Sequence, residues 1–237
     1  MISLPNSLQK KPAAKGIASP VQKELVESFF KIPDSRAFYL AGGTALSEYY
    51  LGHRKSFDLD FFTSQENLVM PFAYSLENSL KKDFQVSVTR VFESFAEMIC
   101  KSGDEEVKIQ MAYDSPFHFE PPVNLAGIIV NDYADLVIDK FLTFFGRHKE
   151  RDVIDLYVLL ENEKLEFWEL AELARQKDPG FDLYWMARAC EKISEFPDEM
   201  NAWRVDTFLP LDAKTIKKFF HDLGKEIFRR ISNNKSE

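Results

Sequence analysis

Cysteine is almost missing from this chain: Cys100 and Cys190 are the only two in 237 residues. That excludes a disulfide framework and a C-x-x-C zinc knuckle, and leaves free buried thiols as the expectation. Long apolar runs are missing too. None approaches the roughly 20 residues that cross a bilayer as a helix, and the first residues hold no apolar signal segment. A cytoplasmic protein with no membrane segment is expected. Positive charge is in deficit, 30 Lys and Arg against 38 Asp and Glu, for a formal net charge of −8. Coating nucleic acid with the whole surface needs clustered cations against the phosphates, so that class is excluded and only a local basic patch stays open. Neither His118 nor His221 has a partner at zinc-ligand spacing.

Phenylalanine, by contrast, is in excess, with 22 residues, and 45% of the chain is hydrophobic. Such a composition predicts a substantial core with thick aromatic packing between sheet and helices, in one large or two small domains. Residues 1–19 place Pro5, Pro12 and Gly16 among polar and basic residues, which predicts a loosely held, flexible N-terminal arm ahead of a helix near 21–31. From Phe38 to about Asp114 short strands alternate with helices. The pattern predicts a strand at Phe38–Leu40, a helix from Thr44 to Leu51, a strand at Phe57–Thr63 and a helix near 70–82. Strands at Gln85–Phe92, Ala96–Lys101 and Glu106–Tyr113 follow, the last two joined by the turn Ser102-Gly103-Asp104.

After Pro121-Pro122 the pattern turns helical. Asp132 reads as an N-cap for a helix with Ala134, Val137, Ile138, Phe141 and Phe145 on one stripe. Further helices are predicted near 150–160, 166–177, 181–194 and 212–231, where Trp168, Trp185 and Trp203 read as packing residues. The fold class is α+β: a mixed sheet with flanking helices over 20–122, followed by a helical C-terminal domain over 123–237 that completes an active-site cleft.

Most of the chemistry sits in Gly42-Gly43-Thr44 and in Phe57-Asp58-Leu59-Asp60-Phe61. On a strand, Asp58 and Asp60 project to one face while Phe57, Leu59 and Phe61 point to the core. Two such carboxylates suit Mg²⁺, which keeps several waters and completes its shell with substrate phosphates, so a triphosphate is the natural partner. Two glycines before a helix let phosphate oxygens approach its free N–H groups and positive dipole end, and the Thr44 hydroxyl can add a donor. A lone D-x-D is more often a solvated pair, and Gly-Gly more often a turn. Their order, with strand, Gly-Gly, helix and D-x-D strand in succession, is what makes the combination specific.

A second cluster is softer. Lys140 and Arg147, seven apart, would share a helical stripe and point two cations the same way, either toward phosphate or into solvent. In the next helix Val153, Leu156, Tyr157 and Leu160 form the core face and leave Asp152 and Asp155 together on its edge. Asp152 can cap the helix or pair with Arg151 or Arg147. Arg147, His148, Lys149 and Arg151 make the best local basic patch, fit for RNA phosphate or for an interhelix ion-pair cluster. His53 reads as a structural hydrogen-bonding residue, Arg54 as a phosphate contact, and Ser56 as a group that positions Asp58.

Two stretches, Leu40-Ala41-Gly42-Gly43-Thr44-Ala45-Leu46 and Leu51 through Phe62, resemble the AbiEii/AbiGii toxin family of nucleotidyltransferases. Lys140-Phe141-Leu142 through Arg147, and Arg151-Asp152-Val153-Ile154-Asp155-Leu156-Tyr157, look like that family's lysine and D-x-x-D motifs. Together they cover residues 38–160. The resemblance implies a DNA-polymerase-β-like nucleotidyltransferase core. It implies transfer of a nucleotide from an NTP to an acceptor, often a tRNA end, and in many members a cognate antitoxin. It makes Asp58 and Asp60 the Mg²⁺ ligands and has Gly43 and Thr44 contact the triphosphate; Gly42, Arg54, Ser56, Arg147 and Asp155 complete the expected nucleotide site. Lys140 would steady phosphate charge and Asp152 would be required for catalysis.

One departure stands out. This superfamily usually carries a third carboxylate on the strand beside the D-x-D strand, and here that strand reads Val107-Lys108-Ile109-Gln110-Met111. Val107, Ile109 and Met111 face the core, so Glu106, Lys108 and Gln110 face the site, with an amide where an acid is expected. An amide oxygen ligates a metal weakly and cannot serve as a base. The main reading is a pyrophosphate-releasing transferase acting on an RNA or protein hydroxyl. The alternative is a catalytically degenerate nucleotide-binding or protein-interaction module. An unrelated D-x-D glycosyltransferase would need a larger sugar-nucleotide domain.

Overall fold

The computed structural model describes residues 4–147 and 149–234; His148, counted above in the basic patch, lies outside them. The chain divides into two compact units. One comprises Gln9–Leu136 with Leu4, and the other continues from Val137 and includes Pro5–Leu8.

In the first unit seven strands form one mixed sheet. They are β1 (Tyr39–Ala41), β2 (Leu59–Thr63), β3 (Gln85–Val91), β4 (Phe95–Ser102), β5 (Glu105–Tyr113), β6 (Val123–Leu125) and β7 (Ile128–Val130). Their order is β3-β4-β5-β2-β1-β7-β6. The pairs β2 with β5 and β1 with β7 are parallel, and the remaining pairs are antiparallel. Alternation along these strands selects the buried face, because successive side chains point to opposite sides. Leu59, Phe61, Val107, Ile109, Met111, Ala96, Met98 and Cys100 are all buried. Helices α1 (Pro20–Phe30) and α3 (Val69–Leu80) contribute the phenylalanines that meet them. Phe29 stacks on Phe61 at 3.7 Å between ring centroids, and Phe72 and Phe38 close around Phe29 at 4.9 and 5.6 Å. Part of the Phe excess fills this sheet-helix layer, where stacked, tilted and edge-on rings pack densely. Burial also pushes the Cys100 thiol up to about 12, as expected of an inert core cysteine.

Two expectations are corrected here. Phe57 does not enter the core: it is 61% exposed, because the β2 ladder begins only at Leu59. Residues 123–130, placed in the helical region, form instead the β6-β7 hairpin, and Val130 pairs with Leu40 of β1. Its turn uses Ala126 at φ 50 and Gly127 at φ 100, with the Asn124 side chain accepting the Gly127 N–H at 2.8 Å.

The described part of the N-terminal arm is tied to one acidic side chain. Helix α2 (Gly42–Leu46) runs directly into a π-helical turn, Ser47–Leu51. From it the buried Glu48 carboxylate accepts the N–H groups of Gly16, Ile17 and Ala18 at 2.9, 2.7 and 2.7 Å. Ala13 and Lys15 add backbone bonds to Tyr49 and Glu48. Glu48→Gln turns an amide N–H₂ toward N–H donors and is expected to cost about 2 kcal/mol. An unchanged urea midpoint would show that the arm's bonds contribute nothing to stability.

In the second unit α4 (Tyr133–Gly146) continues from the first, followed by α5 (Glu150–Tyr157), α6 (Phe167–Lys177), α7 (Leu183–Lys192) and α8 (Ala213–Asn234). Asp132 accepts the Ala134 N–H at 2.8 Å and starts α4 as expected. Phe144 stacks on Phe220 at 4.9 Å in the core of this unit. Trp203 is fully buried, whereas Trp185, read as a packing residue, is 62% exposed. Among the described residues no helix is long and apolar enough to cross a membrane.

Candidate active site

Gly42 and Gly43 do not precede α2 but form its first turn. Gly42 adopts φ +66, and a Cβ there would lie 2.2 Å from Asp60 Oδ2. Glycine is therefore required both by conformation and by the nearness of the carboxylate. A Cβ on Gly43 would lie 2.8 Å from both Arg54 Nη2 and Ser56 Oγ. Gly42 thus abuts Asp60 and Gly43 abuts Arg54 and Ser56, so two further chain segments meet the glycine turn.

The loop between α2 and β2 is held from several sides. Arg54 is buried and donates through Nη1 to the Lys55 carbonyl at 2.9 Å. The Ser56 carbonyl accepts from Gln22 Nε2 at 2.8 Å. Gln22 closes the capping box of α1 with Ser19, so the first turn of α1 also braces the D-x-D approach. His53 is buried with Nδ1 3.4 Å from Ser47 Oγ, in keeping with a structural role. The Thr44 hydroxyl, expected to face the substrate, donates to the Asp58 carbonyl and ties α2 to the acidic strand. What Gly43 and Thr44 leave available are first-turn N–H groups, which have no partner within the helix.

Asp60 is flanked in the ladder by Ala41 of β1 and Gln110 of β5. Laterally paired residues share a face. Lys108, on the same face of β5 as Gln110, reaches Asp58 Oδ2 with Nζ at 3.3 Å. Asp58 therefore lies on the Asp60 side of the sheet although it precedes the regular strand. Beyond Gln110 the row continues to Glu97 of β4, whose Oε2 accepts from Gln110 Nε2 at 2.7 Å. The Thr89 hydroxyl donates to the other oxygen at 2.7 Å, and Arg90 Nε stands 3.8 Å from it. Thr89 first, then Gln110, Arg90 and Lys108, hold the Glu97 carboxyl below its usual range against partial desolvation.

Sequence reasoning passed over Glu97. The signal was present: a two-residue turn at Gly103-Asp104 sets Ser102 opposite Glu105, and counting outward along both strands reaches Glu97 opposite Gln110.

Among the described residues no group of three or more His, Cys, Asp or Glu side chains is placed to hold a metal ion. Asp58 and Asp60 offer hard oxygen donors with no soft ligand beside them. Such a pair fits Mg²⁺, which binds through one or two carboxylates plus substrate phosphates, and does not fit a closed zinc site.

The second cluster lies within the helical unit, where Asp152 pairs with Arg147, one of the partners expected for it, while its burial differs from expectation. α4 ends at Gly146, but the Arg147 N–H still bonds to the Thr143 carbonyl, and Lys140 and Arg147 both reach carboxylates of α5. Asp152 and Asp155 are not on an edge: both are fully buried. Each is matched by a cation. Lys140 Nζ sits 2.8 Å from Asp155 Oδ2, and Arg147 makes a two-pronged pair with Asp152 at 2.8 and 3.2 Å. A buried carboxylate demands such a partner, and here both partners come from the α4 end of the helix pair.

A family model described as nucleotidyl transferase AbiEii toxin, type IV TA system, matches residues 24–230. The uncharacterized protein aq_aa25 of Aquifex aeolicus strain VF5 is 30% identical over 181 residues, 76% of this chain and 84% of that one. Among solved structures, JHP933 of Helicobacter pylori superposes with a TM-score of 0.54 at 14% identity, covering 90% of this chain and 93% of its own. MenT4, a nucleotidyltransferase toxin of Mycobacterium tuberculosis H37Rv, gives 0.53 at 13% identity, covering 88% and 82%. At these identities the structural likenesses establish the fold alone.

Proposed function

Since this chain belongs to the AbiEii nucleotidyl transferase toxin family of type IV toxin-antitoxin systems, we propose that it moves a nucleoside monophosphate from an NTP to an acceptor hydroxyl. The acceptor oxygen forms a bond to the α-phosphorus, the bond to the departing pyrophosphate breaks, and the hydroxyl proton leaves to solvent. An RNA, with a tRNA end as first candidate, or a protein is the acceptor. A cognate antitoxin is the regulatory partner and the cytoplasm the place of action. The observation that carries this reading is the convergence on Asp60 of a glycine turn that tolerates no Cβ.

Asp58 and Asp60 would hold Mg²⁺, which when bound neutralises phosphate charge and polarises the reacting phosphoryl oxygen. The chain's own groups do the rest. The Gly43 and Thr44 N–H groups cradle phosphate at a helix start, and Arg54 and Ser56, beside Gly43, add donors to it. Lys140 steadies phosphate charge while Asp155 fixes its ammonium. Asp152 is required through its hold on Arg147, which turns a flexible cation into an oriented one.

Incubating the purified protein with each α-labelled NTP, Mg²⁺ and total cellular RNA tests the proposal. Label is expected in RNA or protein with one NTP preferred, and none after chelation by EDTA. Gln110 in the ladder beside Asp60 favours a second reading, a nucleotide-binding module without transfer. Calorimetric NTP binding with no labelled product would establish that second reading instead.

A further inference from the structure

Asp60, Gln110 and Glu97 stand side by side across β2, β5 and β4 on one face of the sheet. Glu97 is an unusual place for a carboxylate, since its neighbours Ala96 and Met98 are both core residues and Phe95 and Ile99 are half-buried. Each of its oxygens already accepts a hydrogen bond, Oε1 from the Thr89 hydroxyl and Oε2 from the Gln110 amide. An ionised carboxylate only accepts hydrogen bonds, so it fixes which end of the Gln110 amide it meets. The N–H₂ must face Glu97. The amide oxygen is thereby left on the side away from that contact.

We infer that Glu97 is a positioning residue for the metal site: by anchoring the Gln110 N–H₂ it presents the Gln110 oxygen beside Asp60 as a third, neutral oxygen ligand. The inference rests on the reading of Asp58 and Asp60 as metal ligands, and it answers the missing third acid in physical terms. An amide left to rotate would offer N–H₂ or oxygen to a cation by turns, and the N–H₂ end repels it. A carboxylate behind the amide removes that choice and polarises the carbonyl, as groups behind metal ligands commonly do. The row remains one charge short of a three-acid site, so metal affinity depends more on this orientation than it would with a carboxylate at position 110.

Mn²⁺ titration of the nucleotide-free protein, followed by electron paramagnetic resonance, tests the inference without relying on turnover. Glu97→Ala and Gln110→Ala are each expected to weaken Mn²⁺ binding about tenfold, and the double variant no more than Gln110→Ala alone. Glu97→Gln, whose amide oxygen can accept the same bond, is expected to stay within about threefold of the native affinity. Melting temperatures establish that the variants are folded. Native affinity in Glu97→Ala, or effects that simply add in the double variant, overturn the inference and leave the metal reading standing. Absence of Mn²⁺ binding by the native protein overturns the metal reading itself, and the inference with it.

Discussion

Asp60→Asn is expected to lower nucleotide transfer by at least about a thousandfold, equivalent to ~4 kcal/mol in the barrier, without unfolding the protein. The substitution keeps shape and removes one charge. Its backbone stays in the β1-β2-β5 ladder, and the opposite side of β2, Leu59 and Phe61, remains buried. The amide fits beside Gly42 as the carboxylate does, so loss of activity reports on charge rather than on packing. Circular dichroism melting should be close to native while labelled product disappears. Activity within tenfold of native in a folded Asp60→Asn would sink the assignment of the site, since among the described residues Asp60 is the carboxylate that meets Gly42. Glu97 stands two strands away from Asp60, held by Thr89 and Gln110.

How much of this was legible in the sequence depends on how local the information is. Alternation is local, and it located β2 and β5 with the right residues inward, because Leu59, Phe61, Val107, Ile109 and Met111 each follow the two-residue period. The same rule carried one step too far put Phe57 inside, since periodicity alone does not say where a ladder starts. The β6-β7 hairpin escaped because strands of three residues are too short to show a period, and Ala126 at positive φ is not a residue that advertises a turn. Asp152 and Asp155 read as edge residues because charge in a helical pattern normally marks solvent. Their burial depends on cations from the preceding helix and the residue after it, which no window along α5 contains. The Glu97 carboxylate lies between these cases: its position follows from hairpin register, but its engagement with Gln110 is a contact between strands. The motif residues were legible as types and spacings, whereas the reason Gly42 must be glycine, the Asp60 oxygen behind it, is tertiary.

The buried pair of Lys140 and Asp155 yields the other large effect, and it separates stability from catalysis. Lys140→Met is expected to cost about 3–5 kcal/mol, because it leaves the fully buried Asp155 carboxylate without its cation. Inactivity of that variant alone would therefore be ambiguous. Combining it with Asp155→Leu removes the stranded charge, and buried pairs replaced by apolar side chains of similar volume often lose little stability. The double variant is thus expected to be more stable than Lys140→Met, by urea denaturation. A purely structural pair predicts that transfer returns along with stability. A lysine that steadies phosphate charge predicts a folded double variant still at least about a hundredfold down, since an ammonium aimed at developing charge is not replaced by packing. Measured below the melting temperature of both variants, recovery of activity would remove Lys140 from the proposed site. Persistent loss in the stabilised protein would place its charge in the chemistry rather than only in the core.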